Sequence, residues 1–267
     1  MNTILVPVDF SETSSNALSY AVQLFGASDL EITVLHMYGV RSGGALLMKN
    51  IDGVLQKDAQ QKMDDLLKTM QNQYPEVIFK PKMTKNEAIP AIVAMGDSGT
   101  YDFIVMGTKG ASGLKEVFMG SVAGGVVSRT TAPVLVVPMD HAYRPLEKIV
   151  MAIGNDAFSS DTVIMPLKKI AALHQSEVKV LHIADKKTPQ IQEALLAMED
   201  LNPTVDYAFG SGNVNKDLND YLTKDFSGLA CLIRTKKGFF ERLFNESVTL
   251  KQTFSSAVPL LILHDLS

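Results

Sequence analysis

The chain has 267 residues, of which 46% are hydrophobic and 20% charged, an ordinary globular composition with enough length for about two domains. A formal net charge of −4 gives no general attraction for polyanions, and no long Lys/Arg run compensates locally, so nucleic acid is not an expected partner. The first apolar strand starts within a few residues of Met1, no apolar run reaches the ~18 residues of a membrane span, and Cys231 is the single cysteine; together they point to a cytoplasmic protein with no signal peptide, membrane contact or internal disulfide.

In order, the chain alternates strands and helices. Residues 3–8, TILVPV, form a buried-strand pattern in which Pro7 is tolerable only at the strand's end. Ser11 is a good N-cap for a helix over Glu12–Phe25, with Ala17, Leu18, Ala21, Val22 and Phe25 on one face and Gly26 as its stop. Residues 31–37 make a second strand, 38–51 a glycine-containing stretch, and 54–73 a long amphipathic helix. Asp64 and Asp65 are adjacent on that helix and cannot face each other, so they belong to a solvated face rather than a metal site. A third strand comes at 77–83, a third helix at 87–96 and a fourth strand at 101–106. After a glycine-containing loop, a helix starts at Gly120-Ser121 and runs to about Arg129, and 133–137 is a fifth strand. This alternation predicts α/β architecture with a parallel, doubly wound sheet and right-handed crossovers. Residues 140–147, polar and holding Pro145, are the expected linker.

The chain then repeats itself. KIVMAI at 148–153 aligns with TILVPV at 3–8, VKVLHIAD at 178–185 with ITVLHMYG at 32–39, GLACLIRTKKG at 228–238 with YDFIVMGTKG at 101–110, and AVPLLILH at 257–264 with TAPVLVVP at 131–138. Four ordered matches at similar spacing make a tandem duplication.

Chemistry concentrates after the fourth strand. The glycines there fall as G-x2-G-x9-G-S, at Gly107, Gly110, Gly120 and Ser121. Glycines allow close approach of backbone N–H groups, and a helix starting at Ser121 points free N–H groups at an anion, so a phosphate chain suits the loop. Strand 1 ends at Asp9, and in an open parallel sheet Asp9 and Gly107 can face one crevice beyond the strand ends; the competing reading of Asp9 is a turn or capping aspartate. Lys109 and Lys115 flank the loop; they either neutralise phosphate charge or are plain exposed lysines.

The spacing is neither the P-loop nor the dinucleotide fingerprint. It resembles the nucleotide-binding signature of the universal stress protein family, and the repeat extends the resemblance over nearly the whole chain, as in that family's tandem members. The resemblance implies two Rossmann-like domains of the adenine nucleotide alpha hydrolase type, at 1–140 with an intact loop and at 147–267 with a degenerate one. It also implies that the fifth strands, which would be aggregation-prone edges if left open, pair across a two-fold axis into an internal pseudo-dimer. By the same resemblance, Asp9 with its neighbours Pro7 and Val8, and the backbone at Met37, meet adenine and its surroundings. Met106 and Gly107 meet the ribose, and Gly110, Gly120, Ser121 and Val122 take the phosphates. The implied ligand is ATP, with Mg2+ as its usual companion, and the implied assembly is a homodimer of tandem chains with protein partners of unknown identity.

The second half loses the loop: Gly107 and Gly110 become Arg234 and Lys237, Gly120-Ser121 becomes Glu246-Ser247, and Gly154 stands in Asp9's place. A carboxylate at the helix start repels phosphate, so one nucleotide site per chain is expected. Phe239, Phe240 and Phe244 either fill the vacated pocket or form an exposed partner- or membrane-binding patch. The five histidines show no metal-ligand spacing, His36 and His182 occupy equivalent strand ends suited to a structural role, and Cys231 lies in an apolar strand as a buried thiol. Gly124 and Gly125, inside a helix, suggest close packing of that helix on the sheet. The expected function is a nucleotide-dependent stress-response switch or scaffold. A slow ATPase or adenylate-processing enzyme and a nucleotide-free interaction protein are the competing readings, the first weakened by the lack of a base or a Walker-type lysine beside the phosphates.

Overall fold

The computed structural model describes residues 1–38, 48–108, 119–139, 141–154, 161–183, 190–208, 214–223, 228–235 and 258–265. The first half runs β1 (Asn2–Pro7), α1 (Glu12–Phe25), β2 (Leu30–Met37), α2 (Met48–Gln73), β3 (Ile78–Thr84), α3 (Ala88–Gly96), β4 (Phe103–Gly107), α4 (Ser121–Val127) and β5 (Val134–Val137). The second runs β6 (Lys148–Ile153), α5 (Met165–His174), β7 (Glu177–Ile183), α6 (Gln190–Ala197), β8 (Thr204–Ala208), α7 (Val214–Thr223), β9 (Leu229–Thr235) and β10 (Leu260–Asp265).

The ten strands among the described residues form one sheet in the order β3-β2-β1-β4-β5-β10-β9-β6-β7-β8. Every neighbouring pair is parallel except β5 and β10, which run antiparallel with Leu135 opposite Leu261 and Val134 opposite Ile262. The central seam is thus the fifth strand of each half set against its counterpart. Residues 134–137 and 260–263 are all buried, so two apolar edges vanish by covering each other.

Alternation along the strands splits the core in two. Ile4, Val6, Phe103, Val105, Leu135 and Leu261 pack on the face covered by α1, α2, α5 and α6. Leu5, Ile104, Val134 and Ile262 pack on the face of α3, α4 and α7. The halves are tied beside the seam as well: His174 Nε2 lies 2.7 Å from the Leu24 carbonyl, and Lys169 pairs with Asp102 at 3.1 Å. Asn16 Nδ2 donates to the Pro138 and His141 carbonyls, fastening the linker to α1.

The outer edges are β3 and β8. Pro81 sits inside β3 where an edge strand tolerates it, and Lys80 and Lys82 further blunt that edge against another chain.

Candidate functional site

The order β2-β1-β4 puts the switch point of the first half between β1 and β4. From β1 the chain crosses through α1 on one face, and from β4 through α4 on the other. The crevice beyond Pro7 and Gly107 therefore has the start of α1 on one side and that of α4 on the other.

The β1 side is fixed by β2. Val8 N–H donates to the Leu35 carbonyl at 2.8 Å, and the Val8 carbonyl lies 2.8 Å from His36 Nδ1, which must carry the hydrogen because a carbonyl only accepts. Asp9 comes next, exposed, with Oδ1 accepting from Ser11 N–H at 3.1 Å and from the Ser11 hydroxyl at 2.5 Å. Ser11 Oγ in turn accepts from Ser14 N–H at 3.3 Å and caps α1. The turn reading of Asp9 is thus realised, and the residue stays exposed. Between them Phe10 adopts φ 62, the left-handed region that a bulky residue rarely enters, and its ring packs 4.3 Å from that of His36.

On the β4 side, Gly107 has a reason independent of any ligand. A Cβ there would lie 2.5 Å from Thr13 Cγ2 and 3.0 Å from the Thr13 carbonyl oxygen, so the first turn of α1 occupies the space of a side chain. Thr108 N–H donates to the Val137 carbonyl at 3.1 Å, and the Thr108 carbonyl accepts from Gly120 N–H, drawing the start of α4 back onto the end of β4. The Thr108 hydroxyl is buried and has no hydrogen-bond partner among the described residues. Gly120 is the N-cap of α4 with no side-chain cap, and among the described residues no protein acceptor meets the N–H of Ser121 or Val122, both exposed.

The predicted residues thus divide by what they can offer. Pro7, Val8 and Met106 are buried, so a ligand meets only their main chain, and both Val8 backbone groups are already bonded within the protein. Gly120's N–H is engaged by Thr108. Asp9, Ser121 and Val122 are exposed and Met37 and Gly107 half-buried, each at or next to the end of its strand or the start of its helix. Gly110, Lys109 and Lys115 lie outside the described residues, as do Lys237, Glu246, Ser247 and the Phe239, Phe240 and Phe244 cluster. The helix glycines need a correction. Gly125 is forced by α3 rather than by the sheet, since its Cβ would run into Ile89, whereas a Cβ at Gly124 meets only Met119, with Sδ at 3.9 Å. Phe10, Thr13 and Thr108 were not singled out from sequence; a phenylalanine, two threonines and a left-handed turn carry no motif.

The second half is built differently at the same level. Gly154, buried, comes after β6, and α5 begins only at Met165 after a 3-10 turn at Asp161–Ile164, whereas α1 begins at Glu12 soon after β1. Arg234 lies near the end of β9 in Gly107's place, and His264 is its register partner on β10. Burial, and next the Arg234 charge, push the His264 imidazole down to about 4 against an opposing pull from Asp97, and both ring nitrogens are buried with no hydrogen-bond partner among the described residues. Burial likewise raises the Cys231 thiol, as expected of an inert core cysteine. Among the described residues no group of three His, Cys, Asp or Glu side chains could hold a metal ion, and no helix is long and apolar enough to cross a membrane.

The model of the universal stress protein family matches residues 1–138. The chain belongs to the universal stress protein family. Universal stress protein MJ0577 of Methanocaldococcus jannaschii is 31% identical over 154 residues, covering 50% of this chain and 93% of the relative. Universal stress protein MJ0531 of the same organism is 29% identical over 136 residues, covering 50% of this chain and 80% of the relative. A universal stress protein from Archaeoglobus fulgidus shares the fold over the whole chain, with a TM-score of 0.74 at 19% identity, covering 100% of this chain and 97% of that one. The two Methanocaldococcus relatives each span half of this universal stress protein and the Archaeoglobus structure spans all of it, consistent with the tandem arrangement seen in the sheet.

Proposed function

We propose that this universal stress protein binds one adenine nucleotide, ATP accompanied by Mg2+, in the crevice between β1 and β4, and acts in the cytoplasm as a nucleotide-dependent stress-response switch or scaffold. The observation that carries the reading is the return of α4 onto the end of β4. The bond from Gly120 N–H to the Thr108 carbonyl sets the uncapped first turn of α4 beside the switch point, within the loop pattern that resembles the family's ATP signature. Ser121 and Val122 supply main-chain N–H donors for phosphate oxygens, and the buried Thr108 hydroxyl supplies an unused polar atom at the same level. Asp9 and the backbone at Met37 face the adenosine end, with Met106 and Gly107 below the ribose. Mg2+ is held through the nucleotide's own phosphates. Because Ser121 and Val122 are exposed, empty and occupied protein present different surfaces there, which gives a protein partner something to read.

The site belongs to residues 1–140. Residues 147–267, with Arg234 and Gly154 at the equivalent strand ends, complete the sheet and serve a structural or regulatory role. Two chains associate into a homodimer, and not through the blunted β3 edge. Denaturing the purified protein and identifying any released nucleotide by mass, then titrating the emptied protein with ATP, tests the reading. Release of an adenine nucleotide and saturable rebinding support it; an empty protein without affinity for ATP refutes it.

A further inference from the structure

We propose that His36 is a positioning residue of this crevice: its imidazole, bonded to the Val8 carbonyl and packed on the Phe10 ring, holds the Asp9 turn in the shape that receives the nucleotide. The inference rests on the nucleotide reading of the crevice. Val8 is tied to β2 on both of its backbone groups, by N–H to the Leu35 carbonyl and by its own carbonyl to His36 Nδ1, each at 2.8 Å. Two residues later, Phe10 stands at φ 62 with its ring 4.3 Å from the imidazole at a tilt of 37°. One side chain thus fixes the residue before Asp9 by a hydrogen bond and the residue after it by ring contact.

The start of α1 depends on that bend. It sets Asp9 Oδ1 on the N–H and hydroxyl of Ser11, Ser11 Oγ on Ser14 N–H, and so the first turn of the helix, whose Thr13 presses on Gly107. His36 therefore reaches both walls of the crevice without touching a ligand. The second half keeps the histidine in a different setting: the ring of His182 meets Tyr207 of β8, 6.0 Å away and nearly perpendicular, and Gly154 stands where the first half has Asp9.

The test uses the full chain with His36→Asn, which keeps a donor near Nδ1 without the ring, His36→Phe, which keeps a ring without the donor, and His36→Leu, which keeps neither. Three readouts are compared: hydrogen exchange of residues 9–14 in nucleotide-free protein, the ATP dissociation constant, and the 15N spectrum of the native imidazole. The expected result is an Nδ1-bound hydrogen in the native ring. Exchange should rise and ATP affinity fall, each about tenfold in His36→Leu, with Asn and Phe in between and melting temperatures close to native. Unchanged exchange and affinity in His36→Leu, or a native ring with its hydrogen on Nε2, overturns the proposal, as does a fall in affinity that merely tracks unfolding across all three variants. If the native protein binds no ATP while exchange at 9–14 still rises in His36→Leu, the nucleotide reading fails and the hold on the turn is supported.

Discussion

Gly107→Ala separates two reasons for one glycine. A methyl at this position would stand 2.5 Å from Thr13 Cγ2 and 3.0 Å from the Thr13 carbonyl oxygen, where ordinary contact requires about 3.5 Å or more. The threonine methyl can rotate, but the carbonyl belongs to the first turn of α1, so relief requires α1 to lift from the end of β4. Overpacking of this kind costs roughly 1–3 kcal/mol, which for a chain of this size lowers the melting temperature by about 2–10 °C. Thr13→Ser removes the nearer atom and leaves the carbonyl. Combined with Gly107→Ala it should recover part of the loss, and the two sites should be non-additive by about 0.5 kcal/mol or more. Thermal and urea denaturation of the two single variants and the double variant, without nucleotide, give the cycle. A Gly107→Ala protein as stable as the native one would refute the packing argument and return the glycine to the ligand alone.

The helix glycines should respond in opposite directions. Gly124→Ala stabilises by about 0.5–1 kcal/mol because the helix gains propensity and the methyl has room, whereas Gly125→Ala destabilises because its methyl meets Ile89; urea midpoints decide both, and a shared sign would contradict the packing of α4 on α3. Acid should weaken the fold through His264. Its folded value of about 4 lies below the ordinary 6.5, so the unfolded chain takes the proton first, and stability present at pH 7 is lost as pH falls from about 6.5 to about 4, by up to about 3 kcal/mol. Arg234 pushes in the same direction as burial and Asp97 opposes it. His264→Leu should flatten the stability profile across that window, and an unchanged slope would refute the assignment. Asp97 acts lower: burial raises its carboxyl, but bonds from Thr130, Thr131 and Ala132 outweigh that and leave it below its ordinary 3.8, so its contribution is present above that value and fades in stronger acid. Leu261→Asp sets an unpaired carboxylate opposite Leu135 in the seam. It should cost about 3–5 kcal/mol or abolish folding, read by circular dichroism and gel filtration; native stability would disprove the buried seam.

The fold was open to reading where the chain punctuates itself. Helix α1 spans Glu12–Phe25 as expected because Ser11 caps one end and Gly26, at φ 77, stops the other. Helix α2 already covers Met48 to Gly53, ahead of the expected residue 54. The seam was anticipated through the family resemblance, which implies pairing of two apolar fifth strands that neither half could leave open. The site was legible only in part. Asp9 and the glycine spacing announce a crevice, but the partner of a glycine is a three-dimensional fact: nothing in the loop says that Gly107 answers to Thr13 or Gly125 to Ile89. The left-handed Phe10 is a non-glycine exception to the turn rules, and it comes with a ring contact to His36 that local propensity does not encode.

The most direct test of the central claim is the stoichiometry of ATP binding by calorimetry, in the native chain and in Gly120→Glu. Gly120 sits at φ −59, a conformation any residue adopts, so the variant should fold while placing a carboxylate where phosphate is to bind, as Glu246 does in the second half's sequence. The account predicts one ATP per native chain and none measurable in the variant. Two equivalent sites per chain, or undiminished binding by Gly120→Glu, would contradict a single phosphate site at the start of α4.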